Sequence, residues 1–447
     1  MWFAPEVTTA ASARRLTLVD CIGIGINGIV GSGIFLLPVR VFAAAGGLSW
    51  SAWLLVGGIC LLIALCFGEV ASLTTRSGGP YAYAREAFGD TTGFAVGWMA
   101  LASTLLGYSA VARGLGRNLS YLWPVLGGSS AQAALAWGVI LGLGLLNWVG
   151  IKPGAIASNL FSAAKLVPLL LFAFVGLLFC DFTKLGAPPP SGEGTLRSLQ
   201  LASVAGLFAC TGFEYVPVPA GETKDPQRNV PLALLGSLLG ATLLYALIQV
   251  VLIGTHPDLL HASEPLAEAA TSFGGRNAGA LLSLGAAVSS FGFCTGSALV
   301  GPRYFAALAE DGLLPRVLGR SSPRFGTPGV AILVVSVLAG ILGSLLDFDR
   351  LADISVVALY GQYVPTCLAV IALRKRRPDA KRLYRLPGGP TIPLLGTLGC
   401  FLFLGGTHLD DLVLAASVLA AGMLFYLVRR KAFKESAPTP APDGDQG

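Results

Sequence analysis

The sequence predicts an all-α polytopic membrane protein that crosses the bilayer about twelve times. Three observations carry that prediction. The 447 residues are 54% hydrophobic and only 12% charged, with a mean hydropathy of +0.71, about half the charge a soluble chain carries. The apolar residues fall in runs long enough to cross a hydrocarbon core of about 30 Å, separated by short polar links. Lysine and arginine collect in alternate links, as they do when one side of a membrane faces the cytoplasm. One membrane domain therefore uses nearly the whole length.

The spans start near Leu16, Ser49, Thr91, Ala131, Ala155, Arg197, Val230, Ala278, Thr327, Leu351, Pro390 and Asp411. Splitting broken helices or merging the last two would change the count to thirteen or eleven. Arg14 and Arg15 precede the first run, which is too long for a signal-peptide core and has no cleavage site after it. With the N-terminus inside, cytoplasmic segments hold about 22 of the 30 Lys and Arg residues. The opposite side holds about seven: Arg40, Arg113, Arg117, Lys184, Arg197, Arg276 and Arg350. That bias places both termini in the cytoplasm of a multi-pass protein of the cell (inner or plasma) membrane. The expected organisation is a cytoplasmic segment over 1–15, a core of ten helices over 16–375, a basic loop with two further helices over 376–431, and a disordered tail over 432–447. The bilayer is thus the first partner. The run Arg374-Lys375-Arg376-Arg377 suits anionic lipid, and so short a basic loop gives no reason to expect nucleic acid.

The first span is interrupted. Gly25-Ile26-Asn27-Gly28-Ile29-Val30-Gly31-Ser32-Gly33 sits in its middle, and each glycine weakens a helix by about 1 kcal/mol relative to alanine. Broken backbone at membrane depth is tolerated only inside protein or along a cavity. The N-terminus of the second half-helix offers free N–H groups, which suit a carboxylate, and the end of the first offers carbonyls, which suit an ammonium. The alternative is a hinge or close packing through small residues.

The sixth span is interrupted too. Thr211-Gly212 follows Leu207-Phe208-Ala209-Cys210, and Pro217 and Pro219 prevent an undisturbed helix beyond. The two breaks lie five spans apart, and a repeat of odd length is inverted relative to the membrane. Paired interruptions in corresponding positions point to a binding site at the midplane. Lys165, in Phe161-Ser162-Ala163-Ala164-Lys165-Leu166-Val167-Pro168, is the lone lysine inside a span. An intramembrane ionisable group is a functional candidate, because withdrawal from water favours a neutral amine and lets a proton come and go. Snorkelling toward the nearby loop is its structural alternative.

Other chemistry is not indicated. Gly23-Ile24-Gly25-Ile26-Asn27-Gly28 has the spacing of a dinucleotide fingerprint but no preceding strand and no acidic residue about 20 positions on. The eight cysteines have neither redox nor metal-ligand spacing, and His256, His261 and His408 are scattered. No cofactor or metal is expected. No phosphate loop for an ATPase, no nucleophile–base arrangement for an enzyme and no continuous polar stripe for a channel is present.

The chain resembles the amino acid–polyamine–organocation permeases. The resemblance covers most of the sequence. It rests on Gly31-Ser32-Gly33-Ile34-Phe35, on the stretch from Glu69 through Arg76-Ser77-Gly78-Gly79-Pro80-Tyr81 to Gly89, and on Gly212-Phe213-Glu214 with Gly221-Glu222-Thr223-Lys224-Asp225-Pro226. Glu310-Asp311-Gly312-Leu313-Leu314-Pro315 and Tyr384-Arg385-Leu386-Pro387-Gly388 complete it. It implies a 5+5 inverted repeat, with helices 1 and 6 broken, plus two extra helices. It implies that the substrate carboxylate meets Ser32, Gly33 and Ile34, and that the ammonium meets carbonyls of Ile29, Phe208 and Thr211. Phe213 would be an aromatic gate, with core packing as the alternative.

In proton-coupled members of that family a lysine at this motif position stands where sodium sits in relatives. Lys165 inherits that role, with helix 1 carbonyls near Asn27 and Val30 and the hydroxyls of Ser289 or Ser290 as its contacts. Glu69 is expected to pair with a loop cation. Glu214 would line the pocket, bind a cationic substrate, or hydrogen-bond the broken backbone, the last being favoured. Tyr108 and Tyr360 either line the pocket or pack. The implied function is secondary transport of an amino acid by alternating access, coupled to protons as a symporter. Proton-independent exchange is the alternative mechanism, and a non-transporting sensor the alternative class. With few charges near the breaks, small or apolar neutral amino acids are favoured over cationic ones. The sequence names no partner protein.

Overall fold

A computed structural model describes residues 16–73, 78–149, 152–189, 192–220, 223–322, 324–380 and 382–435, with the side chains of 152–159 and 430–435 outside that description. The expected N-terminal segment, most of the tail, and the motif residues Arg76, Ser77, Gly221 and Glu222 lie outside the described residues.

Ten helical stretches among the described residues are long and apolar enough to cross a membrane, and the shorter apolar helices Gly329–Leu345 and Thr391–Leu404 bring the spans to twelve. Span 1 is α1 (Leu18–Ile29), α2 (Gly33–Leu36) and α3 (Pro38–Ala45). Spans 2 and 3 are α4 (Ser49–Ala71) and α6 (Asp90–Leu119), with the short α5 (Pro80–Phe88) between them. Spans 4 and 5 are α7 (Ser129–Val149) and α8 (Lys152–Leu177), and span 6 is α9 (Thr195–Leu207) followed by tight turns. Spans 7 to 12 are α10 (Pro226–Thr255), α11 (Pro265–Glu310), α12 (Gly329–Leu345), α13 (Phe348–Arg376), α14 (Thr391–Leu404) and α15 (Leu409–Glu435). Sequence-based starts agree with these to within a few residues, except that α11 begins at Pro265 rather than near Ala278.

Two helices were not anticipated. The loop after span 2 coils into α5, and α11 begins with an arm, Pro265 to Gly274, that bends into span 8 at Gly275, whose φ is 72°. Both are too short or too polar to register as apolar runs. The start of α1 is closed by a capping box, in which the Asp20 carboxylate accepts from the Thr17 amide at 2.8 Å and the Thr17 hydroxyl accepts from the Asp20 amide.

The two sets of five spans pack on one another. α4 lies against α10, α6 against α11, and α7 against α12, each a span of the first five on its counterpart in the next five. Span 3 occupies the centre, 83% buried, whereas α7 and α15 are 22% buried and turn leucine and valine outward, as a lipid-facing surface requires. One glycine of the false dinucleotide motif, Gly25, serves this packing. A methyl at Gly25 would collide with Ser237 of α10, so α1 and α10 approach with little between them.

Candidate substrate and coupling site

The two breaks touch. A side chain at Gly212 would run into the carbonyl of Gly28, and one at Gly28 into the carbonyl of Gly212. Gly212 also holds φ at 99°, a region that L side chains rarely adopt. A methyl at Gly33 would sit 2.9 Å from Ala209 Cβ, so the second half of span 1 leans on the end of α9.

The opened backbone leaves groups to offer. Helix α1 ends at Ile29, and the amides of Ser32, Gly33 and Ile34 find no acceptor among the described residues. The Ser32 hydroxyl is buried there with no hydrogen-bond partner among the described residues. Of the expected acceptors, the Ile29 carbonyl already receives the Gly31 amide and the Tyr245 hydroxyl, both at 3.1 Å. The Phe208 carbonyl receives the Thr211 amide at 3.3 Å and the Thr211 hydroxyl at 2.7 Å. The Thr211 carbonyl has no donor among the described residues.

Lys165 reaches the same break from α8. It is fully buried and does not snorkel; its Nζ donates to the Val30 carbonyl at 2.6 Å and to the Ser289 carbonyl at 3.3 Å. One turn earlier, Ser162 donates to the Gly23 carbonyl at 3.0 Å, so two side chains of α8 hold the backbone of α1. The Ser289 hydroxyl is aimed at Val30 O and Gly31 O, at 2.9 and 3.2 Å. Asn27 and Lys165 flank Gly292 of α11, where a methyl would lie 2.7 Å from Asn27 Oδ1 and 3.2 Å from Lys165 Nζ. Ser290 departs from expectation. One residue on from Ser289 it faces a different way around α11, donating to Ala286 O and accepting from Asn118.

Glu214 accepts the Gly212 amide at 2.8 Å and the Tyr363 hydroxyl at 2.9 Å. It therefore braces the second break. Phe213 is fully buried in an aromatic cluster, stacked on Tyr363 with ring centres 5.3 Å apart and edge-on to Phe67 at 5.8 Å. It packs toward α4 and α13. Phe208 lies beside Gly107 of α6 with Phe293, edge-on to Phe348. Tyr108 points to the Ile140 carbonyl of α7, at 3.5 Å, and Tyr360 toward Thr407; neither is brought to the breaks. Tyr245 and Phe293 were not legible in sequence, since each is one more aromatic in an apolar run.

Ion pairs bracket the breaks on both sides. On one side Arg40 bonds Asp353 at 3.1 Å and Asp349 at 3.4 Å, and Arg117 reaches Asp349 at 3.4 Å, tying α3 and α6 to α13. A cavity of about 110 Å³ beneath them is lined by Leu37, Val204, Phe208 and Val356. On the other side buried Glu69 accepts Arg374 Nε at 2.7 Å and the Leu386 amide at 2.8 Å, with Arg382 at 3.6 Å. The main cation is therefore Arg374, in the last turn of α13 rather than in the loop, and Leu386 and Arg382 strap the basic loop to the end of α4.

Residues 16–425 match the amino acid permease family. The chain is 32% identical to the serine/threonine exchanger SteT of Bacillus subtilis over 94% of this chain and 97% of that one. It is 28% identical to the branched-chain amino acid permease BcaP of the same organism, over 94% and 93% of the two chains. Identity to the vacuolar cationic amino acid transporter 4 of Arabidopsis thaliana is 29%, over 82% of this chain and 64% of that protein.

Proposed function

This chain belongs to the amino acid permease family, and on that footing we propose that it carries a neutral amino acid across the membrane together with a proton. Transport of amino acids is the activity named for its relatives. The substrate carboxylate meets the unengaged amides of Ser32, Gly33 and Ile34 and the Ser32 hydroxyl, where a half-helix N-terminus favours negative charge. The ammonium meets the Thr211 carbonyl, with the Ile29 and Phe208 carbonyls contributing when their internal donors turn aside. Phe208 covers the bound side chain. A neutral substrate is favoured because Glu214, the carboxylate at the second break among the described residues, already accepts two donors.

The observation that carries proton coupling is the Lys165 ammonium on Val30 O. While charged, it holds the end of α1 against α8 and α11. Deprotonated, it loses a charge-assisted bond of roughly 1.5–3 kcal/mol, enough to free the half-helix to move. Substrate binding and proton release thereby act on the same strand of backbone. Alternating access then moves the broken helices between the two belts of ion pairs, with both termini on the cytoplasmic side.

The test is uptake into proteoliposomes under an imposed pH gradient, with serine and leucine as probes. The wild type accumulates substrate against its gradient, and Lys165→Ala retains substrate-induced thermal stabilisation while losing pH-driven accumulation. Unchanged pH-driven accumulation by the variant sinks the coupling role. A second reading, obligatory exchange, is favoured by the similarity to an exchanger. It requires wild-type uptake only into vesicles preloaded with amino acid.

A further inference from the structure

A cavity of about 370 Å³ lies at one end of the bundle, where α6 begins, α11 ends and α15 leaves the apolar zone; Asp90, Glu310, Asp311, Arg316, Tyr426 and Arg429 line it. Two of its three carboxylates are engaged by Arg85, and the third, Glu310, forms no ion pair among the described residues. Asp90 bonds Arg85 at 2.7 Å, and Asp311 takes Arg85 together with the Tyr81 hydroxyl at 2.6 Å. Arg316 and Arg429, which face the same space from separate elements, form no ion pair among the described residues. Two neighbouring guanidiniums at an interface call for an anion with several acceptor oxygens, and phosphate meets their planar forks.

The surroundings identify the anion's carrier. One turn back along α15 from Arg429, Phe425 is 41% exposed and stacks on Trp98 at 6.5 Å; Leu424 and Val428 are 65% and 62% exposed. Tyr426 in the cavity wall keeps its hydroxyl 3.3 Å from Thr91 Oγ1. On α15 the recess residues Tyr426 and Arg429 are interleaved with the exposed apolar Leu424, Phe425 and Val428, so a polar recess adjoins an apolar wall, as the phosphate of a lipid adjoins its acyl chains. We propose that this cavity seats the phosphodiester of a membrane phospholipid between Arg316 and Arg429, with an acyl chain laid along Phe425 and Val428.

The site is tested by thermal shift on the purified full chain in phosphate-free detergent buffer. Dioleoylphosphatidylglycerol raises Tm in a saturable way, and digalactosyldiacylglycerol, which has no phosphate, leaves it unchanged. The Arg316→Gln/Arg429→Gln double variant needs about tenfold more phospholipid for half the shift, as expected for the loss of two charge-assisted contacts. Equal responses to the two lipids, or an unchanged half-saturation in the double variant, overturn the proposal. Inorganic phosphate that reproduces the wild-type shift at the same concentration overturns the lipid assignment, since the site would then take a soluble anion. Should the double variant fail to fold, the wild type decides: its lipid response collapses at about 1 M NaCl if the arginines hold the phosphate, and a salt-independent response refutes the site.

Discussion

At the scale of single residues, the two breaks depend on what is missing. Gly58 and Gly212 make the contrast. A methyl at Gly58, inside α4, would meet nothing within 4 Å. At Gly212 it would meet the carbonyl of Gly28 on a backbone already at φ 99°. Gly212→Ala is expected to destabilise by at least 1–2 kcal/mol from the left-handed backbone alone, with more from the collision, and to abolish uptake. Gly58→Ala is expected to leave Tm level or raise it, by up to about 1 kcal/mol of stability. Melting curves and proteoliposome uptake of the two variants check both. Lys165 was legible because charge in an apolar run is conspicuous, and the glycines because they interrupt one. Phe208 and Phe213 were harder to rank. They are five residues apart on either side of a break whose turn angle decides which ring faces the opening, and no spacing rule gives that angle.

At the scale of elements, the apolar runs were read to within a few residues, whereas α5 and the arm at the start of α11 were missed. Their stability comes from packing and local hydrogen bonds rather than from hydropathy. The arm shows this. Just before it, Glu264 accepts the Ser120 hydroxyl at 2.7 Å, and Glu268 accepts the amides of Ser263 and Glu264. His256 lies 3.3 Å from Glu268. Burial pushes the Glu264 carboxyl up to about 7 against the lowering effects of Ser120, the Tyr121 amide and Arg117, with Glu268 adding to the rise. Because the folded value lies above the ordinary 4.5, this group favours docking of the arm in acid. That contribution is lost as pH rises through about 7. Hydrogen exchange over residues 259–274, corrected for intrinsic rates, is expected to report more frequent opening at pH 8 than at pH 6. The difference disappears in Glu264→Gln; a wild type with equal protection at both pH values contradicts the assignment.

At the scale of the whole molecule, composition alone was enough for the class, and the family followed from a handful of short motifs. Sidedness rests on the uneven distribution of about 22 against about seven Lys and Arg residues. A C-terminal epitope tag is accordingly expected to be protected from protease in intact cells and cleaved in inverted vesicles; the reverse pattern would turn the entire topology over. What the sequence did not reveal was how little material separates the two interrupted spans. Gly28 and Gly212 meet through main chain only. Interlocked side chains resist sliding because knobs must leave their holes before the surfaces can pass. A seam made of two glycines has no knobs. What holds the first broken span there is hydrogen bonding rather than interlock: Lys165 and Ser289 on the Val30 carbonyl, and Ser162 on the Gly23 carbonyl.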